Sequence, residues 1–284
     1  MMANMACYVH LVPVTLWAVS WYKNTWFKGQ RVQVQHDAKW IKTLSALSKR
    51  YFTPTFLSSE YIDASRPAMY VGNHSLYGIF DAPVIIIICS TNIRWLWSVL
   101  PTTAIFICRS GAILSKKFGA VDGQREYVRA LMQQGYSILV FPGGGREVLK
   151  HPGEQYQLIW KQRYGFLQLA QEFQYDIIPF AAFGPDDIFE FGFDARTVVQ
   201  HRLFQKLLTV PQLDKLLRHG DVIPSLPKHL IPKRVPFYSQ FLPPVEVGQR
   251  LGSEDLAALR EEIAQQIYQT LAQLKARSTG HPSS

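Results

Sequence analysis

Three short apolar runs, each broken off by glycine, proline or histidine, constrain this chain most. They are AMYVGNH (68–74), YSILVFPGGG (136–145) and YDIIPFAAFG (175–184). Each reads as a short strand buried on both faces. Helical patterns lie around them. In DAKWIKTLSALSKRYF (37–52), Trp40, Ile41, Leu44, Leu47 and Tyr51 recur at three- and four-residue steps. REYVRALMQQG (125–135) is a clearer helix closed by Gly135, and KQRYGFLQLAQEFQ (161–174) is another. DAPVIIIICST (81–91) is read as helix, because Asp81 can cap it and Pro83 suits its first turn. Helix and strand alternate, which predicts an α/β fold: a layered mixed sheet flanked by helices.

The organisation expected along the chain has four parts. Residues 1–30 form an apolar membrane-associating segment, 31–252 the main domain, 253–277 an amphipathic helix and 278–284 a tail. MACYVHLVPVTLWAVSWY (5–22) is close to the roughly 20 residues that span a bilayer. Trp17, Trp21, Tyr22 and Trp26 crowd its far end, as aromatic rings do at a headgroup zone. A buried helix is the alternative. In the last helix Ser253 is the expected cap. Leu256, Leu259, Ile263, Ile267, Leu271 and Leu274 form its apolar stripe.

With 48% hydrophobic residues the chain can bury a core, and 30 basic against 21 acidic residues give a net charge of +9. That charge favours an anionic partner: a membrane face, a phosphate-bearing molecule or nucleic acid. Nucleic acid fits poorly, because the aromatics lie in apolar runs and not among the basic residues. The basic, leucine-rich stretch 196–234 could rest on an anionic membrane or simply present a solvated face. Cys7, Cys89 and Cys108 are too few and scattered for a disulfide framework or a metal site, and read as free thiols of a reducing compartment.

Four stretches could carry chemistry. In YVGNHSLYGIFDAP (70–83), His74 could take a proton near neutral pH, and Asp81 could fix its tautomer. The pair can meet only if the six residues between them are not helical, since one continuous helix would hold them roughly 10 Å apart. Otherwise His74 merely ends a strand and Asp81 caps a helix. In VFPGGGREVLKHPGE (140–154), Gly143, Gly144 and Gly145 let backbone amides approach a ligand, and Arg146 and Lys150 could hold phosphate or an oxyanion; the alternative is a tight turn with a solvated Arg146. The stretch lacks the ending of a nucleotide P-loop. In FGAVDGQRE (118–126), Gly119 and Arg125 flank a turn; Arg125 could hold a phosphate or pair with Glu126 or Glu147. Pro179 is awkward inside a central strand; a strand end or edge beside a site would explain it, and a structural role would do so equally.

Together these blocks resemble the glycerolipid acyltransferase superfamily over about residues 60–245. That family carries, in order, His-x4-Asp, Gly-x-x-Phe-x-x-Arg, Phe-Pro-Glu-Gly-x-Arg and a proline within an apolar strand. The matching residues here are His74 and Asp81, Gly119 and Arg125, Phe141-Pro142-Gly143-Gly144-Gly145-Arg146, and Pro179. The longer string from Phe141 to Asp187 looks like the diacylglycerol acyltransferase-like branch, which includes phytyl ester synthases. Three departures stand out: the six-residue histidine–aspartate gap, Gly143 for the usual glutamate, and Asp122 for the usual phenylalanine.

The resemblance implies a glycerolipid acyltransferase-like fold and a membrane-associated O-acyltransferase of lipid metabolism. It would move a fatty acyl group from acyl-CoA or an acyl carrier protein to a lipid alcohol. Gly143 and Asp122 point to a neutral acceptor such as diacylglycerol or a long-chain alcohol. His74 would be the general base with Asp81 as its partner. Gly119, Arg125, Gly143 to Gly145, Arg146, Glu147 and Pro179 would serve donor phosphates or the oxyanion. No cofactor beyond the thioester substrate and no metal is implied; the partners are membrane lipids and the donor. The active site would face a reducing compartment. Competing readings are a lysophospholipid or glycerol-phosphate acyltransferase and a non-catalytic lipid-binding relative. A hydrolase is disfavoured, because no Gly-x-Ser-x-Gly elbow is present.

Overall fold

The computed structural model describes residues 38–63, 65–78, 95–99, 120–122, 125–202, 205–206, 209, 223–247 and 252–280. The apolar segment 5–22, the three cysteines, the 81–91 run with Asp81, and Gly119 lie outside them. So does most of 203–222. No helix among the described residues is long and apolar enough to cross a membrane.

In chain order the described elements are α1 (Ala38–Phe52), β1 (Thr55–Leu57), β2 (Met69–Gly72), β3 (Trp95–Val99), β4 (Ala120–Asp122) and α2 (Arg125–Met132). Then come β5 (Ser137–Val140), α3 (Gly144–Val148), α4 (Gly165–Phe173), β6 (Ile177–Phe183), β7 (Phe191–Phe193) and α5 (Ala195–Val199). β8 (Leu226–Pro227), β9 (Tyr238–Phe241) and α6 (Ser253–Thr279) complete them. Seven strands form one sheet in the order β1-β9-β6-β2-β5-β3-β4. From β6 to β4 neighbouring strands are parallel; β9 runs antiparallel to β6, and β1 parallel to β9. The sheet is mixed, and β7 pairs with β8 apart from it.

The three apolar runs become β2, β5 and β6, the centre of the sheet. Their side chains alternate between two covered faces, so the sequence is apolar without interruption. Met69, Val71, Ile138, Ile177 and Ala181 pack with residues of α2, α4 and α6. On the opposite face an aromatic layer forms, with Phe141 edge-on to Phe180 and Tyr70 edge-on to Phe241. Full burial of one such large apolar side chain stabilises by roughly 1.5–3 kcal/mol.

The stripe on α6 joins the core: Ile263 and Ile267 are fully buried, with Leu256, Leu271 and Leu274 beside them. The helix start differs from the sequence reading. Gly252, not Ser253, holds the cap position, and the Asp255 carboxylate accepts the Gly252 N–H at 2.9 Å. The Asp255 carboxylate thus satisfies the N–H of the cap residue from within the first turn, where an acidic side chain also suits the positive end of the helix dipole.

Of the two readings of Pro179, an edge position does not hold. It lies within β6, between β2 and β9, opposite Val71. Two residues of β6 face three of the neighbouring chain between the Phe180–Phe241 and Ile177–Val245 pairings. The missing proline donor falls at this irregularity, while its carbonyl still accepts the Leu242 N–H at 2.9 Å.

Candidate active site

β2 and β5 are adjacent and parallel, with Val71 opposite Val140. Whatever follows each strand therefore emerges at the same sheet edge. His74 follows β2, and the Phe141–Gly145 turn follows β5. The His74 ring stacks on Phe141 at 4.0 Å between centroids and 13° between planes. β6 ends at this edge too and brings Asp186. Parallel order, rather than closeness in sequence, thus assembles the site.

The backbone around His74 is held by side chains from three segments. Asn73 exchanges two hydrogen bonds with Ala182 of β6, its amide donating at 2.9 Å and its oxygen accepting at 2.8 Å. The His74 N–H donates to Glu147 Oε2 at 3.1 Å, and Glu147 Oε1 accepts the Ile159 N–H at 2.8 Å. Lys150 Nζ donates to the His74 carbonyl at 2.7 Å and to Asp186 Oδ2 at 2.6 Å. Asp186 in turn accepts the N–H groups of Leu76 and Tyr156, each at 2.6 Å. Lys150 and Asp186 are 0% and 1% exposed, so this ion pair works in a low-dielectric interior. Burial pushes the Glu147 carboxyl above its ordinary range, against the pull of Lys150.

Two glycines make this packing feasible. A Cβ on Gly143 would lie 2.0 Å from Glu147 Cδ. Glycine there leaves the space through which Glu147 reaches the His74 amide. Gly78 has φ +61°, and a Cβ on it would lie 2.8 Å from His74 Cε1. The ring is thus confined between the Phe141 face and the Gly78 backbone, and is 6% exposed.

The other sequence candidates fall at different distances. Gly144 closes the glycine turn by donating its N–H to the Phe141 carbonyl at 2.9 Å. Arg146 Nη2 donates to both carboxylate oxygens of Glu154, at 2.6 and 2.8 Å. Lys150, read from sequence as a phosphate ligand, is sealed inside with Asp186. Arg125 opens α2 on the exposed surface just beyond β4. β4 ends at the same sheet edge, three strands from β2, or roughly 14 Å sideways at strand spacing. Pro179 sits in the sheet beside Val71 and presents nothing to the site.

Sequence reasoning gave no role to Asn73 or Asp186, and placed Glu147 and Lys150 in ligand binding. The available signal was positional: charged residues set within apolar or glycine-rich runs just after strands, where burial demands a partner. A second histidine cluster lies nearby. His151 Nδ1 is 3.1 Å from Ser225 Oγ and 3.9 Å from Asp194 Oδ1.

Among solved structures, the 1-acyl-sn-glycerophosphate acyltransferase PlsC of Thermotoga maritima is similar in fold. Its TM-score is 0.54 at 15% identity, over 86% of this chain and 81% of that one. Phytyl ester synthase 2 of Arabidopsis thaliana, a chloroplastic protein, is 27% identical over 246 residues, 79% of this chain and 34% of the relative. Phytyl ester synthase 1 of the same plant is 35% identical over 163 residues, 54% of this chain and 22% of the relative. The chain thus spans about a third or less of the length of these relatives. The profile of the diacylglycerol acyltransferase family matches residues 9–279, nearly the whole sequence. This chain therefore belongs to the diacylglycerol acyltransferase family, a family of acyltransferases.

Proposed function

We propose that this chain transfers a fatty acyl group from a thioester, acyl-CoA or acyl carrier protein, to the hydroxyl of a neutral lipid such as diacylglycerol or a long-chain alcohol. His74 is the general base and takes the hydroxyl proton as the oxygen attacks the thioester carbonyl. The tetrahedral oxyanion is held by the Gly143 and Gly145 amides, since the Gly144 amide closes the turn. The C–S bond then breaks, and the imidazolium returns its proton to the leaving thiolate. Asp81 is retained as the orienting carboxylate, and Gly119 and Arg125 as the distant arm for donor phosphates. Membrane association through the segment 5–22, with the site facing a reducing compartment, completes the reading.

One observation carries it: the His74 ring lies flat against the aromatic residue that begins the glycine turn. Base and oxyanion donors are thus neighbours on rigid strand ends. The neutral acceptor is supported by the charges nearby. Arg146 is committed to Glu154 and Lys150 to Asp186, so neither cation is held ready for an acceptor phosphate. The plant relatives, phytyl ester synthases by name, agree with an alcohol acceptor.

The test supplies labelled acyl-CoA and acyl carrier protein with a panel of neutral and phosphorylated acceptors, and identifies the products by lipid mass spectrometry. Ester should form on a neutral alcohol, and folded His74→Ala should lose about 10²–10⁴ in rate. Exclusive use of phosphorylated acceptors, or undiminished turnover in His74→Ala, would overturn the reading.

A further inference from the structure

Large apolar side chains in the open are costly unless something covers them. Five are exposed among the described residues, and four of them gather in one region. Leu226 lies in β8, and Leu230 and Ile231 in the stretch that follows it, these two at 88% and 77% exposure. Leu47 lies on α1 one turn before Tyr51, hence on the same helix face. Tyr51 ties the two elements together: its hydroxyl donates to the Pro232 carbonyl at 2.6 Å, and Arg234 stacks 4.8 Å over its ring.

The exposed tip is not loosely held. The Lys228 N–H donates to the Glu190 carbonyl at 2.8 Å, and the Lys233 N–H to the Ile188 carbonyl at 2.8 Å. His229, Leu230 and Ile231 therefore project between two fixed points. Lys228 and Arg234 flank them in the chain, and Arg50 precedes Tyr51 on α1, all exposed. The opposing acid, Glu190, is taken up by Lys233. At its other end the stretch meets the site: the Ser225 carbonyl accepts the Tyr77 hydroxyl at 2.8 Å, three residues after His74.

We infer that the Leu226–Arg234 loop, with the C-terminal end of α1, is a docking surface for an anionic lipid bilayer. Leu230 and Ile231 enter the acyl boundary, while Arg50, Lys228 and Arg234 meet the headgroups. The charge selects the occupant: an apolar tip flanked by cations complements an anionic membrane better than a second copy of this chain, which would bring the same cations. The inference rests on the reading of the chain as an enzyme of lipids, and gives that reading an orientation. Tyr77 and Ser225 link the docked loop to the His74 turn.

Binding is measured by flotation with phosphatidylcholine vesicles, with and without phosphatidylglycerol. Because the segment 5–22 can also hold lipid, the vesicles carry a diazirine-bearing phospholipid, and adducts are mapped by mass spectrometry. Adducts are expected on Leu230 and Ile231. Leu230→Asp/Ile231→Asp should lower partitioning at least about tenfold. Lys228→Gln/Arg234→Gln should lower it about 25-fold on anionic vesicles at low salt and leave neutral vesicles unaffected. Vesicle-bound protein with no adducts in 226–234, or variants that partition like wild type, would overturn the proposal. So would loss of self-association or of a protein complex in the aspartate variant without lipid adducts. Turnover with short-chain soluble substrates separates this from the function itself, because the aspartate variant should keep it. Adducts on the loop of a protein that acylates nothing would sink the acyl-transfer reading and leave the docking surface standing.

Discussion

His74 and His151 are both 6% exposed and are linked through Lys150, whose ammonium donates to the His74 carbonyl. Their surroundings differ in kind. At His74 the protein grips the backbone, through Glu147 on one side and Lys150 on the other, and lays the ring on Phe141. At His151 a carboxylate again accepts the backbone N–H, Glu154 at 2.8 Å, but the ring meets Ser225 Oγ through Nδ1 instead of lying on an aromatic face. Serine, histidine and aspartate gather there, yet both oxygens approach the same nitrogen, and Ser225 Oγ already accepts the Ala195 N–H at 3.1 Å. A nucleophile relay needs serine and carboxylate on opposite ring nitrogens. Residue types are shared between the two places; position separates them, His74 lying on the residue that begins the glycine turn and His151 against Ser225 and Asp194.

The sharpest way to break this contrast is to exchange the roles. His151→Gln should keep acyl transfer near the wild-type rate where His74→Ala loses it, as initial rates on folded proteins would show. If His151→Gln were the silent variant, the assignment would be reversed. Next is the clamp. Lys150→Met strands the Asp186 carboxylate in the interior and should cost about 3–5 kcal/mol in denaturant unfolding. Lys150→Met/Asp186→Asn should recover part of that loss, because the uncompensated charge is gone; no recovery would remove the ion pair from the explanation.

Smaller is Gly143→Ala. Its new Cβ collides with Glu147, so a loss of about 1–3 kcal/mol is expected, together with a lower kcat as the His74 amide loses its acceptor. An unchanged kcat would show that the backbone grip does not matter to the chemistry. The smallest effect concerns pH. Burial, helped by Arg146, holds the His151 imidazole below its ordinary value, against Glu154 and Asp194. The unfolded chain therefore binds this proton more readily, and stability should fall as pH drops below about 6.5 towards the lowered value. His151→Gln should flatten that part of a thermal-unfolding profile.

Much of this was legible in the sequence. Unbroken apolar runs ending in turn residues identified β2, β5 and β6, because strands covered on both faces have no polar side to show. The α6 stripe was equally plain, since a long helix repeats its period many times. The edge placement of Pro179 failed because a one-residue slip in pairing leaves no mark on the proline itself. Lys150 was misplaced because a lysine has the same formula whether it is solvated or buried against Asp186, 36 residues away. Glu147 and Arg146 show the same limit: a carboxylate or guanidinium declares its charge, and its partner is chosen by folding.

The sequence by itself determined the element types, the presence of a histidine and a three-glycine turn just after two strands, and the family to which they point. Each of these is local, written in side-chain periodicity and in residues that end strands. Only the tertiary structure decided that the two strands are neighbours and parallel, so that histidine and glycines share one edge. It also decided which charges neutralise each other inside, and that Leu230 and Ile231 stay in the open. These depend on contacts between residues far apart in the chain, and chain position alone carries no record of them.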